Sequence, residues 1–387
     1  MSAMLLSFVR FMMGCAALIV SHTHAHIQAQ DQTSEPSAAI HPNSRWFAVP
    51  WDELPGVFED DPREAVVAWL ASCARSQPAW RKEWEKACSE LSVLKNTDAE
   101  VIRMWMMGRF QPYRVEALAG GGANERAGPT TGLLTGYYEP ILPARREASE
   151  KFRYPLYRLP ADLERGDSAR TWFTRREIDT AGSPAQQALQ GRAIAYLQSS
   201  LDVLALHIQG SGQLDLEQTD DAVGGARQRI RLAFAGSNNQ PYKSVGAWLR
   251  DTHGVRELSW PAIKGWALAH PEQMNALMWS NPRVIFFKES VVNQGEAPLG
   301  PKGAQGVPLT AGRSIAVDPK SIPYGTPVWL VSSGASVHLK RLVVAQDTGA
   351  AITGAVRADY YAGSGDEAGE MAGKLKQPLQ LWVLWPK

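Results

Sequence analysis

Leu342-Val343-Val344-Ala345-Gln346-Asp347-Thr348-Gly349 sets an apolar run directly against a carboxylate and a glycine. A short Val-rich run closed by a turn signal reads as a β-strand. The texture continues on both sides. Ser314 to Val317, Pro327 to Val331, His338 to Ala345 and Leu379 to Leu384 are short apolar stretches separated by Gly, Pro and Asp. Many short strands with turn residues between them are the signature of a small β-barrel. The fold class that follows is mainly β with peripheral helices.

Upstream the texture changes twice. Val284 to Phe287 is strand-like, and Ser244 to Arg250 and Ala262 to Trp279 are helical. Between 139 and 260, turns alternate with runs of strand type at Ala193 to Tyr196, Val203 to Gln209 and Arg229 to Phe234. Leu133 to Tyr138 reads as a strand after a glycine-rich loop around Gly120. From Trp51 to Arg109 the period is helical, with Ala65, Val66, Ala68, Trp69 and Cys73 at three- and four-residue steps and Pro62 near a helix start. Residues 21–44 are polar and rich in Gln, Ser, His and Pro, so 30–44 reads as a linker.

The N-terminus reads as an address. Arg10 closes a weakly basic region, and Phe11 to Val20 is an apolar run of signal-peptide length, too short to span a bilayer. Residues 1–29 are expected to be a signal peptide, which makes the periplasm the destination. Gly14-Cys15 resembles a lipoprotein attachment site, but only Phe11, Met12 and Met13 separate it from Arg10. Ordinary cleavage, removing Cys15, is the favoured reading. Cys73 and Cys88 remain, either as a disulfide stapling a helix hairpin in an oxidising compartment or as two buried thiols. Two cysteines cannot build a structural zinc site, and the His22–His26 tract lies beside the cleavage region.

Lys and Arg number 40 against 39 Asp and Glu, a balance that argues against nucleic acid as partner. The 14 Trp suit sugar stacking and core packing alike. No His-Glu-x-x-His, Gly-x-Ser-x-Gly or phosphate-cradling Gly-Lys-Ser/Thr occurs, so neither metal nor organic cofactor is called for. The candidates for chemistry are carboxylates beside glycines: Asp318, Asp347, Asp359 and Asp366. An Asp beside Gly often bonds its own turn; that accounts for Asp366 and suits Asp318. Asp347 follows an apolar run and is expected to be partly desolvated. Asp347-Thr348-Gly349 matches the aspartic-protease triplet, but those enzymes need two such carboxylates, and the chain has one copy.

Taken in order, Leu134-Thr135-Gly136-Tyr137-Tyr138-Glu139-Pro140, His207-Ile208-Gln209-Gly210-Ser211-Gly212, Gly312 to Asp318, Ile322 to Pro327, Gln346 to Gly349 and the tail from Asp366 to Leu384 resemble the membrane-bound lytic murein transglycosylase A family over roughly residues 45–387. The resemblance implies a double-psi β-barrel, 45–138 with 281–387, into which a second β-barrel domain, 139–280, is inserted, with a groove between them for a peptidoglycan strand. It implies an exo-acting lyase, a monomer with outer-membrane association, and Asp359 as the single catalytic acid. Asp347 is expected as a supporting residue in the groove floor, with Thr135 and Tyr137 on the strand facing Asp359 across the barrel. Gln209 and Ser211, in a glycine-flanked loop, are expected either to contact N-acetyl groups or to form a tight hairpin turn. Trp329 and Tyr324 are open to either sugar stacking or core packing. The same barrel in plant expansins acts on glycans without clear hydrolysis, which keeps a binding role as the alternative.

One carboxylate suffices if the nucleophile lies in the substrate. A glycosidase that uses water needs a second carboxyl group to direct the attack. The 6-hydroxyl of N-acetylmuramic acid replaces that water, and intramolecular attack gains from proximity. The acid must then be protonated near neutral pH, which calls for desolvation.

Overall fold

The computed structural model describes residues 38–75, 82–118, 128–165, 170–217, 228–291 and 299–387. The signal-type segment, Cys15 and the His22–His26 tract lie outside them. The chain opens with strands β1 (Ala38–His41) and β2 (Ser44–Ala48), followed by helices α1 (Arg63–Cys73), α2 (Lys82–Leu94) and α3 (Ala99–Arg109) and strands β3 (Phe110–Ala117) and β4 (Gly132–Glu139). Next come β5 (Ile141–Ala144), β6 (Tyr154–Tyr157), α4 (Ala161–Arg165), α5 (Arg175–Asp179), α6 (Pro184–Ala188), β7 (Ala193–Leu197), α7 (Ser200–Gln209), β8 (Gly212–Leu216) and β9 (Gln228–Ser237). Helices α8 (Val245–His253), α9 (Trp260–Ala269) and α10 (Met274–Ser280) precede β10 (Ile285–Val291). The last part holds β11 (Ser314–Val317), β12 (Pro327–Ser333), β13 (His338–Asp347), β14 (Arg357–Ser364), α11 (Asp366–Lys374) and β15 (Lys376–Pro386).

Nine strands form one mixed sheet in the order β1-β2-β3-β15-β12-β13-β11-β14-β4, and β15 also pairs with β4. The β11–β13 and β14–β4 pairings are parallel, and the other neighbours are antiparallel. Strand periodicity explains why the central strands are apolar at nearly every position. Val328 and Leu330 on β12, Val343 and Ala345 on β13, and Leu381 and Val383 on β15 enter one core cluster. The alternate residues Trp329, Leu342, Val344, Trp382 and Leu384 enter a second cluster with Trp69 and Trp84 from the helical layer and Phe110, which opens β3. Side chains alternate across a strand, so a strand covered on both faces loses its polar positions. Cys73, the last residue of α1, is disulfide-bonded to Cys88 in α2, which staples that layer. Trp329 is 1% exposed and donates its indole N–H to the Pro55 carbonyl; it is a core residue, not a sugar platform.

The segment after β4 has its own cores and a four-stranded sheet, β10-β9-β8-β5, beside the β6–β7 ribbon and, among the described residues, seven α-helices. Three expectations are corrected here. Residues 30–44 are not linker throughout, because 38–41 pair with 44–47 as an antiparallel hairpin. The segment's sheet runs past residue 280, since β10 pairs with β9. Val203–Gln209 is helical rather than a strand. Ser199 caps α7 by accepting from the Leu201 N–H, and Leu201, Val203, Leu204, Ala205 and Leu206 are all buried. A helix buried on most sides has no polar stripe, so its sequence mimics that of a buried strand.

Candidate functional site

Strand register assembles the site. Asp359 on β14 pairs with Thr135 on β4 and with Ala316 on β11, and Ala316 pairs in turn with Asp347 on β13. These four residues form a row across four strands, with the small Ala316 between the two carboxylates. At ~4.8 Å per strand, the Asp359 and Asp347 backbones stand about 10 Å apart. Thr135 is therefore on the neighbouring strand, in parallel register with Asp359, and not across a barrel from it. A bulge in β13 completes the row: Ile315 pairs with Ala345, but Ala316 skips to Asp347. In a regular ladder Gln346 would face Ala316, and Asp347 would fall on the core face of Val343 and Ala345. A bulge re-aims the side chains beyond it. Gln346, the residue skipped, is fully buried, donates to the Ala68 carbonyl and Ser72 Oγ, and accepts from Ser314 Oγ.

Asp359 is part-buried. Thr135 Oγ1 donates to its Oδ1 at 2.5 Å, and Arg357 Nη2 donates to Thr135 Oγ1 at 2.8 Å. Burial raises the Asp359 pKa to about 6; the Thr135 hydroxyl and Arg357 charge oppose that rise, and the Asp347 charge adds to it. Asp347 is raised by burial too, against the Ala304 and Thr348 N–H groups and the Tyr137 hydroxyl. Tyr137 donates to Asp347 Oδ2 at 2.9 Å, and the Ala304 N–H donates to Oδ1 at 2.8 Å. Two residues along each strand, Tyr137 and Tyr361 pack with ring centroids 5.3 Å apart, closing the floor beside the row. Burial, then the nearby Asp347 carboxylate, pushes the Tyr137 hydroxyl well above its ordinary value, so it remains a donor.

The fold thus brings Asp359, Thr135, Asp347 and Tyr137 together. Gln209 and Ser211 do not join them. Gln209 ends α7, Gly210 takes φ +78° as its left-handed cap, and β8 follows, so this is a helix-to-strand turn and not a hairpin. Gly supplies that conformation without strain. Gln209 Oε1 accepts from the Tyr138 backbone N–H at 3.0 Å, which ties the helix to β4. Among the described residues, Ser211 makes no hydrogen bond to the row. Sequence reasoning missed Tyr242, in the connection from β9 to α8. Burial raises its pKa against a hydrogen bond with Ser244, and the Asp359 charge adds to the rise, so it lies within electrostatic reach of the acid from the segment between β4 and β11. No motif marks it; only the fold brings it there. Asp318 is a local structural residue: it accepts from Lys320 N, Gly354 N and Asn43 Nδ2.

Residues 133–288 match the MltA specific insert domain, and residues 313–385 match the 3D domain. Membrane-bound lytic murein transglycosylase A of Escherichia coli strain K12 is 35% identical over 261 residues, 65% of this chain and 65% of that protein. The Vibrio cholerae serotype O1 protein of the same name is 31% identical over 302 residues, 74% of each. Among solved structures, the lytic transglycosylase LtgG of Burkholderia pseudomallei superposes with TM-score 0.57 at 36% identity, covering 91% of this chain and 99% of that one. E. coli MltA with bound chitohexaose superposes with TM-score 0.63 at 25% identity, covering 92% and 95%. The chain belongs to the membrane-bound lytic murein transglycosylase A family.

Proposed function

We propose that the protein is a lytic transglycosylase acting on the glycan strand of peptidoglycan, with Asp359 as its single acid and base. The observation that carries this is one shielded carboxyl group with its pKa held near 6. Such a group is protonated in a useful fraction of molecules near neutral pH and ionises readily once its proton is spent. In the first half of the reaction, Asp359 gives its proton to the bridging oxygen as the bond from C1 of N-acetylmuramic acid to O4 of N-acetylglucosamine breaks. In the second half, the 6-hydroxyl oxygen closes on C1, and its proton passes to the Asp359 carboxylate. The products are a 1,6-anhydro end and a free 4-hydroxyl; no water is consumed, and the acid is regenerated.

Asp347 is held by three donors at the far end of the row; its charge biases Asp359 toward the protonated form. Thr135 and Tyr137 fix the two carboxylates. In the same reading, the six strands β15, β12, β13, β11, β14 and β4, which pair in a circuit, form a double-psi β-barrel, and the segment from 139 to about 291 is the inserted domain. The chitohexaose held by the E. coli relative supports a β-1,4-linked N-acetyl sugar polymer as ligand. Export to the periplasm with outer-membrane association, and action as a monomer, complete the proposal.

The test is mass spectrometry of murein digested by the purified protein. Anhydro-muropeptides, lighter by one water than hydrolytic products, support the reading, and Asp359→Asn should abolish them while glycan binding persists. Hydrolytic products would overturn it. Binding without turnover in the wild-type protein would mean an expansin-like role.

A further inference from the structure

Arg357 and Thr135 form a hydrogen-bond chain that ends on one chosen oxygen of the acid. We propose that Arg357 is a positioning residue which, through Thr135, keeps the Asp359 proton on Oδ2. This deepens the transglycosylase reading and rests on it. The argument is one of donors and acceptors. A guanidinium has donors only, so Thr135 Oγ1 accepts from Arg357 Nη2 at 2.8 Å. A hydroxyl carries one hydrogen, and Asp359 Oδ1 is the one acceptor within reach of it among the described residues, at 2.5 Å. Placing the acid's proton on Oδ1 would leave the Thr135 hydroxyl donating to an acid O–H oxygen, a poorer acceptor than the carbonyl oxygen it meets when the proton is on Oδ2. Oδ1 therefore accepts, and the transferable proton sits on Oδ2, which makes no hydrogen bond to the described residues. Arg357 itself is fixed: its Nη1 donates to the Ala358 and Leu133 carbonyls. In the second half of the reaction, the same hydroxyl steadies the carboxylate while Oδ2 takes the proton from the substrate.

The charged and titratable groups facing Asp359 are Arg357 on its own strand, Tyr137 on β4, Asp347 at the end of β13 and Tyr242 before α8. Of these, Arg357 is the cation, and it favours the ionised carboxylate. Its removal should raise the Asp359 titration midpoint, so the alkaline fall of activity should move to higher pH.

The experiment compares Arg357→Gln, Arg357→Lys, Thr135→Val and the double variant R357Q/T135V by kcat and KM on murein glycan strands across pH. R357Q should lower kcat roughly tenfold with KM little changed, the worth of one hydrogen bond to a charged group. R357K, which keeps a donor, should recover part of that loss. The double variant should be no slower than T135V alone, because two links of one chain are not additive. Multiplicative losses, or a rise in KM with kcat intact, would overturn the proposal. T135V is isosteric and leaves the carbonyls held by Arg357 alone, so it carries the test if R357Q folds poorly. Carboxyl NMR of Asp359 in the glycan-free protein separates this proposal from the reading beneath it. The midpoint should rise in R357Q and in T135V whether or not murein is cleaved; an unmoved midpoint in R357Q would overturn the chain.

Discussion

Asp318 and Asp359 lie at the same end of neighbouring strands, β11 and β14, and meet opposite fates. Val317 pairs with Ala358, so the two carboxylates are flanked by nearly the same backbone. Asp318 is 6% exposed, and burial alone would push its pKa up. The N–H groups of Gly354 and Lys320 and the amide of Asn43 outweigh burial and hold it below the ordinary carboxylate value. Asp359 is shielded too, but one hydroxyl is its only hydrogen-bond donor among the described residues, and burial wins. Heavier desolvation and a smaller donor count together separate an acid kept for chemistry from one kept for folding.

Asp359→Asn should give the largest effects, in two directions. Activity should fall by about 10³-fold, within the range of a lost general acid. Stability at pH 8 should rise. A carboxyl whose pKa is raised on folding, here from 3.8 to about 6, destabilises the fold above pH 6 and is without cost below its unfolded value. Two units correspond to about 3 kcal/mol at most, and partial exposure brings the expected gain to about 1–2 kcal/mol. Urea melts at pH 8 and pH 4 check this: the gain should appear at pH 8 and vanish at pH 4. An unchanged or lower midpoint at pH 8 would mean the carboxylate is solvated.

Asp318→Asn should do the reverse. The lowered pKa means that the ionised form stabilises the fold above the ordinary value, and that this contribution is lost as pH falls through the folded value. The substitution should cost about 1–2 kcal/mol at pH 7, the worth of charge-assisted hydrogen bonds. The cost should shrink as pH drops below 3.8, and kcat should change little. A large loss of kcat with stability intact would erase the contrast between the two residues.

The sequence shows the strand framework better than it shows the site. Ser314–Val317 matches β11, and Pro327 and His338 open β12 and β13 as expected, because strands buried on both faces read as apolar runs between turn residues. β14, which carries Asp359, escaped detection as a strand. Arg357, Asp359 and the adjacent Tyr360 and Tyr361 interrupt both the apolar run and the alternation, since one of its faces is the site. The identity of Asp359 came from resemblance, not from any local pattern. The bulge at Gln346 has no sequence signature, yet it decides which way Asp347 points. Tyr242 and the Arg357–Thr135 contact are long-range consequences of folding, between residues more than 100 and 200 positions apart respectively from their partners in the row.

Tyr137→Phe tests the smallest part of the contrast, the difference one donor makes. The ring and its packing on Tyr361 remain, so the change is confined to the 2.9 Å hydrogen bond to Asp347 Oδ2. Asp347 keeps the Ala304 and Thr348 N–H groups, so stability should fall by no more than about 1 kcal/mol. Losing a donor to the charged form raises the Asp347 midpoint further. A less ionised Asp347 repels the Asp359 carboxylate less, so the Asp359 midpoint should drift down by a fraction of a pH unit and the alkaline limb of activity with it. That drift is opposite in sign to the one expected for Arg357→Gln, and a pH profile of kcat distinguishes them. An upward shift in Y137F would show that the two carboxylates titrate independently and that donor count at Asp347 has no bearing on the acid beside it.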